Sequence, residues 1–308
     1  MTPPGPNPLG PGGAAWHTGT IMRLTKHHGL GNDFLVLLDA DGSQPVTPAQ
    51  ARALCDRRLG VGADGLIRAT RPDGTGPAGP NASAHAVMAL TNADGSPAEM
   101  SGNGIRCLAQ ALLTAGWAPG PEVVVDTPAG RRTVTAHEAI DAVTQEFSVD
   151  MGPARLVGEA SEWAGGPFVR ALAVDTGNPH VVVEVAADSV AAAERDAAGI
   201  SLVDLGEQVN AKVPGGANVH LLAPDPAVAN GIVIRSYERG VGPTAACGTG
   251  ACASAAAARA WGLVDDVVAV RMPGGTAHVT LGDSVVLRGP AAFIATVDAP
   301  NPVAAGRA

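Results

Sequence analysis

Two short turns carry the side chains best suited to chemistry. In "AEMSGNGIRCLAQ", residues 98–110, Ser101 precedes Gly102-Asn103-Gly104 and an apolar helical pattern. In "AACGTGACAS", residues 245–254, Cys247 precedes Gly248-Thr249-Gly250 and an alanine-rich stretch. A glycine-rich turn that feeds a helix presents free backbone N–H groups and the positive end of the helix dipole. Such a turn suits a carboxylate or phosphate. Gly102, Gly104, Gly248 and Gly250 let backbone approach a ligand closely. A cysteine at a helix start is expected to have its pKa lowered toward the thiolate. Cys247 alternatively reads as a small buried hydrophobe, but its turn favours function. Cys107 and Cys252 read as packing residues, and Cys55 lies on a helix with no evident partner.

Two acid/base groups on opposite faces of one carbon would invert a stereocentre. One removes a proton while the other delivers one to the far face, and the helix N-termini stabilise the charge that develops on the adjacent carboxylate. That chemistry requires no cofactor. The sequence has no Rossmann fingerprint or P-loop, and "GLGNDF" lacks the glycine spacing. No C-x-x-C pair or His/Cys cluster has zinc spacing, so no metal is expected.

The elements that must position the turns form a repeat. Strands are expected at residues 22–25 and 34–38, a helix at 47–58 capped by Thr47, and a strand in "ADGLIRAT". A Gly/Pro loop at 71–83 precedes the strand "AHAVMALTN". The first glycine turn then leads into a helix at 105–115, with Ile105, Leu108, Ala109 and Leu112 on one face and Gly116 as its stop. Strands follow from Glu122. "FVRALAVDTGNPHVVVEV" repeats the first strand–loop–strand, "SLVDLGEQV" reads as a short helix, and "ANVHLLA" and "GIVIRSYERG" read as strands. A helix at 251–261 and further strands complete the chain. Gly31-Asn32 precedes "DFLVLL" and Gly177-Asn178 precedes "PHVVVEV"; 69 residues separate Asn32 from Ser101, and 69 separate Asn178 from Cys247. Two copies of one αβ unit, facing across a pseudo-two-fold axis, would bring Ser101 and Cys247 to one cleft.

The chain has 308 residues, enough for two domains, with 46% hydrophobic residues, 16% charged and 3% aromatic. It therefore reads as globular, with cores built from Ala, Val, Leu and Ile. A net charge of −9 argues against nucleic acid as the main partner. Four cysteines make no disulfide scaffold, and a reducing cytoplasm is the expected location. The first 20 residues are rich in Pro and Gly, lack the features of a signal peptide and read as a disordered tail, with Met22 as an alternative start. No apolar run approaches the ~20 residues of a membrane span.

At this point "KHHGLGNDF", "GADGL", "NADGSPAEMSGNGIRC", "TGNPHVV", "ANVHLL" and "YERGVGPTAACGTGACA" occur in order. With these motifs the chain resembles the diaminopimelate epimerases, cofactor-independent enzymes that interconvert LL- and meso-diaminopimelate for lysine and cell-wall synthesis. The resemblance spans Met22 to Val297. It implies an α+β fold of two pseudo-symmetric αβ domains, each a mixed or antiparallel sheet wrapped around a central helix. The expected division is a tail at 1–20, an N-terminal domain at 21–135 with a return strand near 290–298, and a C-terminal domain at 136–289. By resemblance, Cys247 and Ser101 are the catalytic pair. Substrate is expected to bind Asn32, Asn92, Asn178, Asn218, Glu238 and Arg239, with Gly102, Asn103, Gly248 and Thr249 of the turns. Arg chelates a carboxylate, Glu pairs with an ammonium, and Asn does either. Taken singly, the asparagines also read as turn residues, and Glu238–Arg239 as a surface ion pair. His180 is expected to support the site, and His27 and His28 to be structural. The expected partner is a small amino-acid substrate, with a homodimer left open.

Two positions, Ser101 and Pro243, depart from the family pattern. Ser101 stands where a second cysteine belongs, and a hydroxyl is a far poorer base than a thiol. A disulfide between the two turns is thereby impossible. Pro243 replaces a frequent glutamate and removes an N–H, and Gly65 is a variable position. An epimerase or isomerase of the same fold acting on another amino acid remains open, as does a weakly catalytic ligand-binding homologue.

Overall fold

The computed structural model describes residues 21–72, 84–164, 168–186, 188, 190 and 201–302. The expected tail and most of the expected loop at 71–83 lie outside these residues. The first half runs β1 (Ile21–Gly29), β2 (Asn32–Leu38), α1 (Pro48–Cys55), β3 (Gly65–Thr70), β4 (Ala86–Asn92), β5 (Pro97–Ala98), α2 (Gly102–Thr114), β6 (Glu122–Thr127), β7 (Gly130–Ala139) and β8 (Thr144–Asp150). After β9 (Arg155–Glu159) come β10 (Arg170–Asp175), β11 (Pro179–Glu184), α3 (Leu202–Lys212), β12 (Asn218–Pro224), β13 (Gly231–Glu238), β14 (Gly242–Thr244), α4 (Gly248–Ala260), β15 (Val267–Met272), β16 (Gly275–Thr280) and β17 (Val286–Pro300). No helix among the described residues is long and apolar enough to cross a membrane.

The repeat read from the sequence extends to the strand pairing. β1–β2 and β10–β11 are antiparallel hairpins. β2 then runs parallel to β3, as β11 does to β12. β3–β4 and β12–β13 are antiparallel, and β4 and β13 each have a parallel neighbour in β6 and β15. Antiparallel pairs β6–β7 and β15–β16 follow. The last described strand crosses between the halves, since Val286 to Arg288 also pair with β16 of the second half. Val286 to Ala292 pair with β8, whereas Ala292 to Pro300 pair with β1.

Local chemistry sets the helix ends. Thr47 and Gln50 form a reciprocal capping box at α1, with Pro48 in the first turn. α2 and α4 begin at the glycine turns themselves, about a turn before their apolar periodicity. They also end alike. Gly116 and Gly262 take φ of 69° and 72°, and Trp117 N–H and Leu263 N–H reach back to the carbonyls of Leu112 and Ala258.

α2 and α4 are the cores of their units. The expected apolar face of α2 understates its burial, because Gly102 through Leu112 are all buried, Arg106, Cys107 and Gln110 included. A helix enclosed by strands has no solvent face to keep polar. α4 solves the same problem with alanines at 251, 253, 255, 257 and 258, all fully buried. The two helices share one apolar cluster with Phe147 and Val149 of β8 and Leu287 and Ala291 of β17. Leu108 is fully buried at its centre. Leu108→Ala is expected to lower unfolding stability by about 2–5 kcal/mol, read from the denaturant midpoint at unchanged slope.

Candidate active site

Ser101 and Cys247 are the N-caps of α2 and α4, in matching extended conformations. The Ser101 hydroxyl accepts the Gly104 N–H at 3.0 Å, and the Cys247 sulfur accepts the Gly250 N–H at 3.3 Å. The side chains thus fill one role in two copies of one motif, and the helix N-termini meet. A Cβ built on Gly248 would lie 2.9 Å from the Gly102 Cα, so neither turn tolerates a side chain there without movement.

A cavity of about 310 Å³ opens beside the two turns. Its wall includes seven of the expected site residues: Asn32, Asn92, Ser101, Asn178, Asn218, Glu238 and Arg239. The other five, Gly102, Asn103, Cys247, Gly248 and Thr249, are buried and do not line it. Asn103 lies directly behind Asn32 and donates to its Oδ1 at 3.1 Å. Asp64, Asp94 and Glu99 also face the cavity and were not expected. The motif "GADGL" contained Asp64, but nothing in its spacing showed that it would stand beside Asn32.

Glu238 and Arg239 are not an ion pair with each other. Arg239 donates to the Gly215 carbonyl at 2.8 Å and lies 3.9 Å from Glu99 across the cavity mouth. The Asn218 Oδ1 accepts the Arg239 backbone N–H at 2.9 Å. Glu238 lies near enough to the thiol for the two to shift each other's proton affinity, and it accepts from the Thr244 hydroxyl at 2.6 Å. Loss of hydration pushes the Glu238 carboxyl up to about 7.

The expectation of a helix-lowered thiol is corrected. Burial and the nearby Glu238 carboxylate push Cys247 well up, and the opposing pull of the Thr249 hydroxyl and the Gly250 N–H is smaller. A helix N-terminus lowers a thiol pKa only when desolvation does not outweigh it. Cys55, Cys107 and Cys252 are buried and pushed up to about 12, consistent with packing.

The serine side lacks the matching groups. By strand register, Asn92 at the end of β4 corresponds to Glu238 at the end of β13, and Ala98 corresponds to Thr244. Asn92 donates to the Ser96 hydroxyl at 3.1 Å rather than to Ser101. Pro243 sits opposite Tyr237 as Pro97 sits opposite Thr91, so a proline occupies this register position in both copies.

Two buried histidines underlie α4. His180 Nε2 lies 2.8 Å from the Asn178 Oδ1, His180 Nδ1 lies 2.8 Å from His220 Nε2, and His220 Nδ1 lies 2.9 Å from the Ser236 hydroxyl. Burial pushes His180 well down and His220 down to about 3, so both are neutral. With Asn178 Oδ1 as acceptor, His180 donates from Nε2, accepts from His220 Nε2–H, and leaves His220 Nδ1 to accept from Ser236. The chain turns the Asn178 oxygen inward and its amide nitrogen toward the cavity. A Cβ on Gly250 would strike the His220 ring at 2.2 Å. "ANVHLL" contained His220, but its partner lies 40 residues away. His27 contacts Gln110 and Thr25, and His28 accepts the Gly31 N–H, both structural roles. Among the described residues no group of three or more His, Cys, Asp or Glu side chains is arranged to hold a metal.

Comparison with known proteins places this geometry. The chain matches the family described as "Diaminopimelate epimerase" over residues 24–157 and 172–294. It is 41% identical over 286 residues to the diaminopimelate epimerase of Mycolicibacterium smegmatis, covering 89% of this chain and 95% of that protein. The diaminopimelate epimerase of Mycobacterium tuberculosis is 39% identical over 289 residues, covering 90% and 96%. Among solved structures, a probable proline racemase from Agrobacterium radiobacter superposes with a TM-score of 0.69 at 20% identity, covering 94% of this chain and 96% of that one. A hydroxyproline epimerase from Agrobacterium vitis gives 0.68 at 18%, covering 93% and 95%. At these identities the structures share the fold alone.

Glu238 provides a test of the site's electrostatics. Its folded pKa lies above that of an unfolded glutamate, so the folded state holds its proton more tightly. The stability this gives is fully present below about 4.5 and is lost as pH rises through about 7. Glu238→Gln is expected to flatten that decline, measured as the difference between wild-type and variant stability from pH 4 to 8.

Proposed function

The chain belongs to the diaminopimelate epimerase family, and we propose that it interconverts LL- and meso-diaminopimelate by proton transfer at the α-carbon. The reaction serves lysine and peptidoglycan precursor synthesis, and the proposed location is the cytoplasm. Two pseudo-symmetric units, residues 21–135 with 290–298 and residues 136–289, supply one turn each. The observation that carries the reading is the equivalent placement of Ser101 and Cys247 at two abutting helix N-termini.

The turns and Cys247 are buried beside the cavity, so a substrate must part its wall next to Ser101 to reach them. There its α-carboxylate accepts backbone N–H groups of both turns, which stabilise the negative charge that forms when the α-proton leaves. Glu238, with a pKa near neutrality, takes the Cys247 proton and leaves a thiolate. The thiolate removes the α-proton from one face, and the Ser101 hydroxyl delivers a proton to the other. The resulting alkoxide recovers its proton from water, and the hydroxide so formed takes the proton held by Glu238, which restores the resting enzyme. Arg239 and the asparagines hold the distal amino-acid end. Among the described residues no carboxylate or imidazole bonds to Ser101, so the step in which serine must act as base is the slow one. Microscopic reversibility places the same barrier on both directions.

Incubation with LL-diaminopimelate in D2O separates the steps. Deuterated meso product is the expected outcome. Ser101→Cys is expected to raise kcat by about tenfold or more, because it supplies a stronger base. Exchange without inversion would assign Cys247 alone to catalysis. No exchange, in a folded protein, would sink the epimerase reading.

A further inference from the structure

A hydrogen-bonded chain of side chains runs behind the cavity, with opposite charges at its ends. The Arg106 guanidinium donates to the Asn103 Oδ1 at 2.6 Å. Asn103 Nδ2 donates at 3.1 Å to the Asn32 Oδ1 and at 3.1 Å to the Ala246 carbonyl, next to Cys247. Asn32 Nδ2 donates to the Asp64 Oδ2 at 2.7 Å, and Arg57 donates to the Asp64 Oδ1 at 2.7 Å. The Asp64 Oδ2 also accepts the Asp33 backbone N–H at 3.1 Å.

Arg106 is fully buried, which is costly for a cation, and one terminal nitrogen of its guanidinium has no partner. Its slot is walled by glycines. A Cβ on Gly29 or Gly289 would lie 3.3 or 3.4 Å from the guanidinium. A core residue kept for packing alone would not be a guanidinium.

The ends of the chain decide the orientation of the amides between them. Arginine only donates, so the Asn103 oxygen must face it and the Asn103 nitrogen must face Asn32 and Ala246. Ionised Asp64 only accepts, so the Asn32 nitrogen must face it. Without Asp64 the Asn32 amide could rotate by a half turn at little cost in shape. Without Arg106 the Asn103 amide would lose the donor that faces its oxygen and be held only from its nitrogen side, by Asn32 and the Ala246 carbonyl. With them, Asn32 presents its second N–H toward the cavity, as a carboxylate ligand needs. The bond to the Ala246 carbonyl ties the same chain to the turn that carries the thiol.

We propose that Asp64 and Arg106 are positioning residues, which fix the donor orientation of Asn32 and Asn103 and so set the affinity of the cavity for its carboxylate-bearing substrate. The kinetic part of this inference rests on the epimerase reading, whereas the amide orientation does not.

The test therefore has two readouts. The Asn32 and Asn103 side-chain amide signals are followed in 15N spectra, assigned with Asn32→Ala and Asn103→Ala. Kinetics are measured on the same proteins. Asp64→Asn preserves shape but replaces one acceptor oxygen with a donor. It is expected to speed solvent exchange of the Asn32 amide and to raise KM by about tenfold, the worth of one charged hydrogen bond, with kcat changed by less than about threefold. Arg106→Met is expected to release the Asn103 amide, and Arg106→Lys to restore it in part. If Asp64→Asn or Arg106→Met does not fold, Arg57→Met decides, since Arg57 is more than half exposed and Asp33 keeps its pairing with Lys26. It is expected to move the Asn32 amide and KM in the same direction by a smaller factor. Unchanged Asn32 exchange and unchanged KM in the folded variants would overturn the proposal. A wild-type protein with no epimerase activity but a protected Asn32 amide that Asp64→Asn releases would refute the substrate reading and leave the orientation mechanism standing.

Discussion

The contact on which the site depends is the meeting of two helix N-termini at Gly102 and Gly248. A Cβ on Gly102 would lie 2.7 Å from a Leu287 methyl and 3.2 Å from the Gly248 Cα. Only glycines allow the approach. It brings two positive helix ends together, an arrangement that is unfavourable unless negative charge lies nearby. Asp64 on the cavity wall supplies some of that charge, and Glu238 adds to it when ionised. A substrate carboxylate supplies more, so binding an anion relieves a repulsion already built into the fold. This explains how a protein with a net charge of −9 can hold an anion without a cluster of lysines.

The two copies of the motif have been equipped differently. On the thiol side stand Glu238, Thr244 and His220. The corresponding register positions on the serine side hold Asn92, Ala98 and Ile67. The polar residues that tune proton affinity are concentrated where the sulfur is. The serine side is instead built to hold an orientation, through Asn32, Asn103 and Asp64.

The parts of this arrangement that were legible in the sequence are those set by local backbone chemistry. Ser101, Cys247 and their glycines announce helix starts because capping and close approach are decided within a few residues. The matched spacing from Asn32 to Ser101 and from Asn178 to Cys247 revealed the repeat, and strand pairing carries it further. What the sequence hid is long-range. The bond from Asn103 to Ala246 spans 143 residues and that from Asn32 to Asp64 spans 32. The upward shift of Cys247 was misread for the same reason, since the helix dipole is visible in the turn while the burial and the Glu238 carboxylate come from the surrounding sheet. Likewise the pattern of α2 showed an apolar face but not that strands would enclose Arg106 and Gln110 as well.

The course of β17 bears on how the protein is made. Its final residues, Ala292 to Pro300, lie against β1, the first strand of the described chain. During synthesis the first half therefore emerges with its β1 edge unpaired, and the strand that covers it is made only after every other described element. Domains that close on themselves can fold as they emerge, N-terminal first. Here the N-terminal unit keeps an open sheet edge until the whole second unit has been made, so its completion is coupled to synthesis of its neighbour, and a product truncated before β17 is left with that edge exposed.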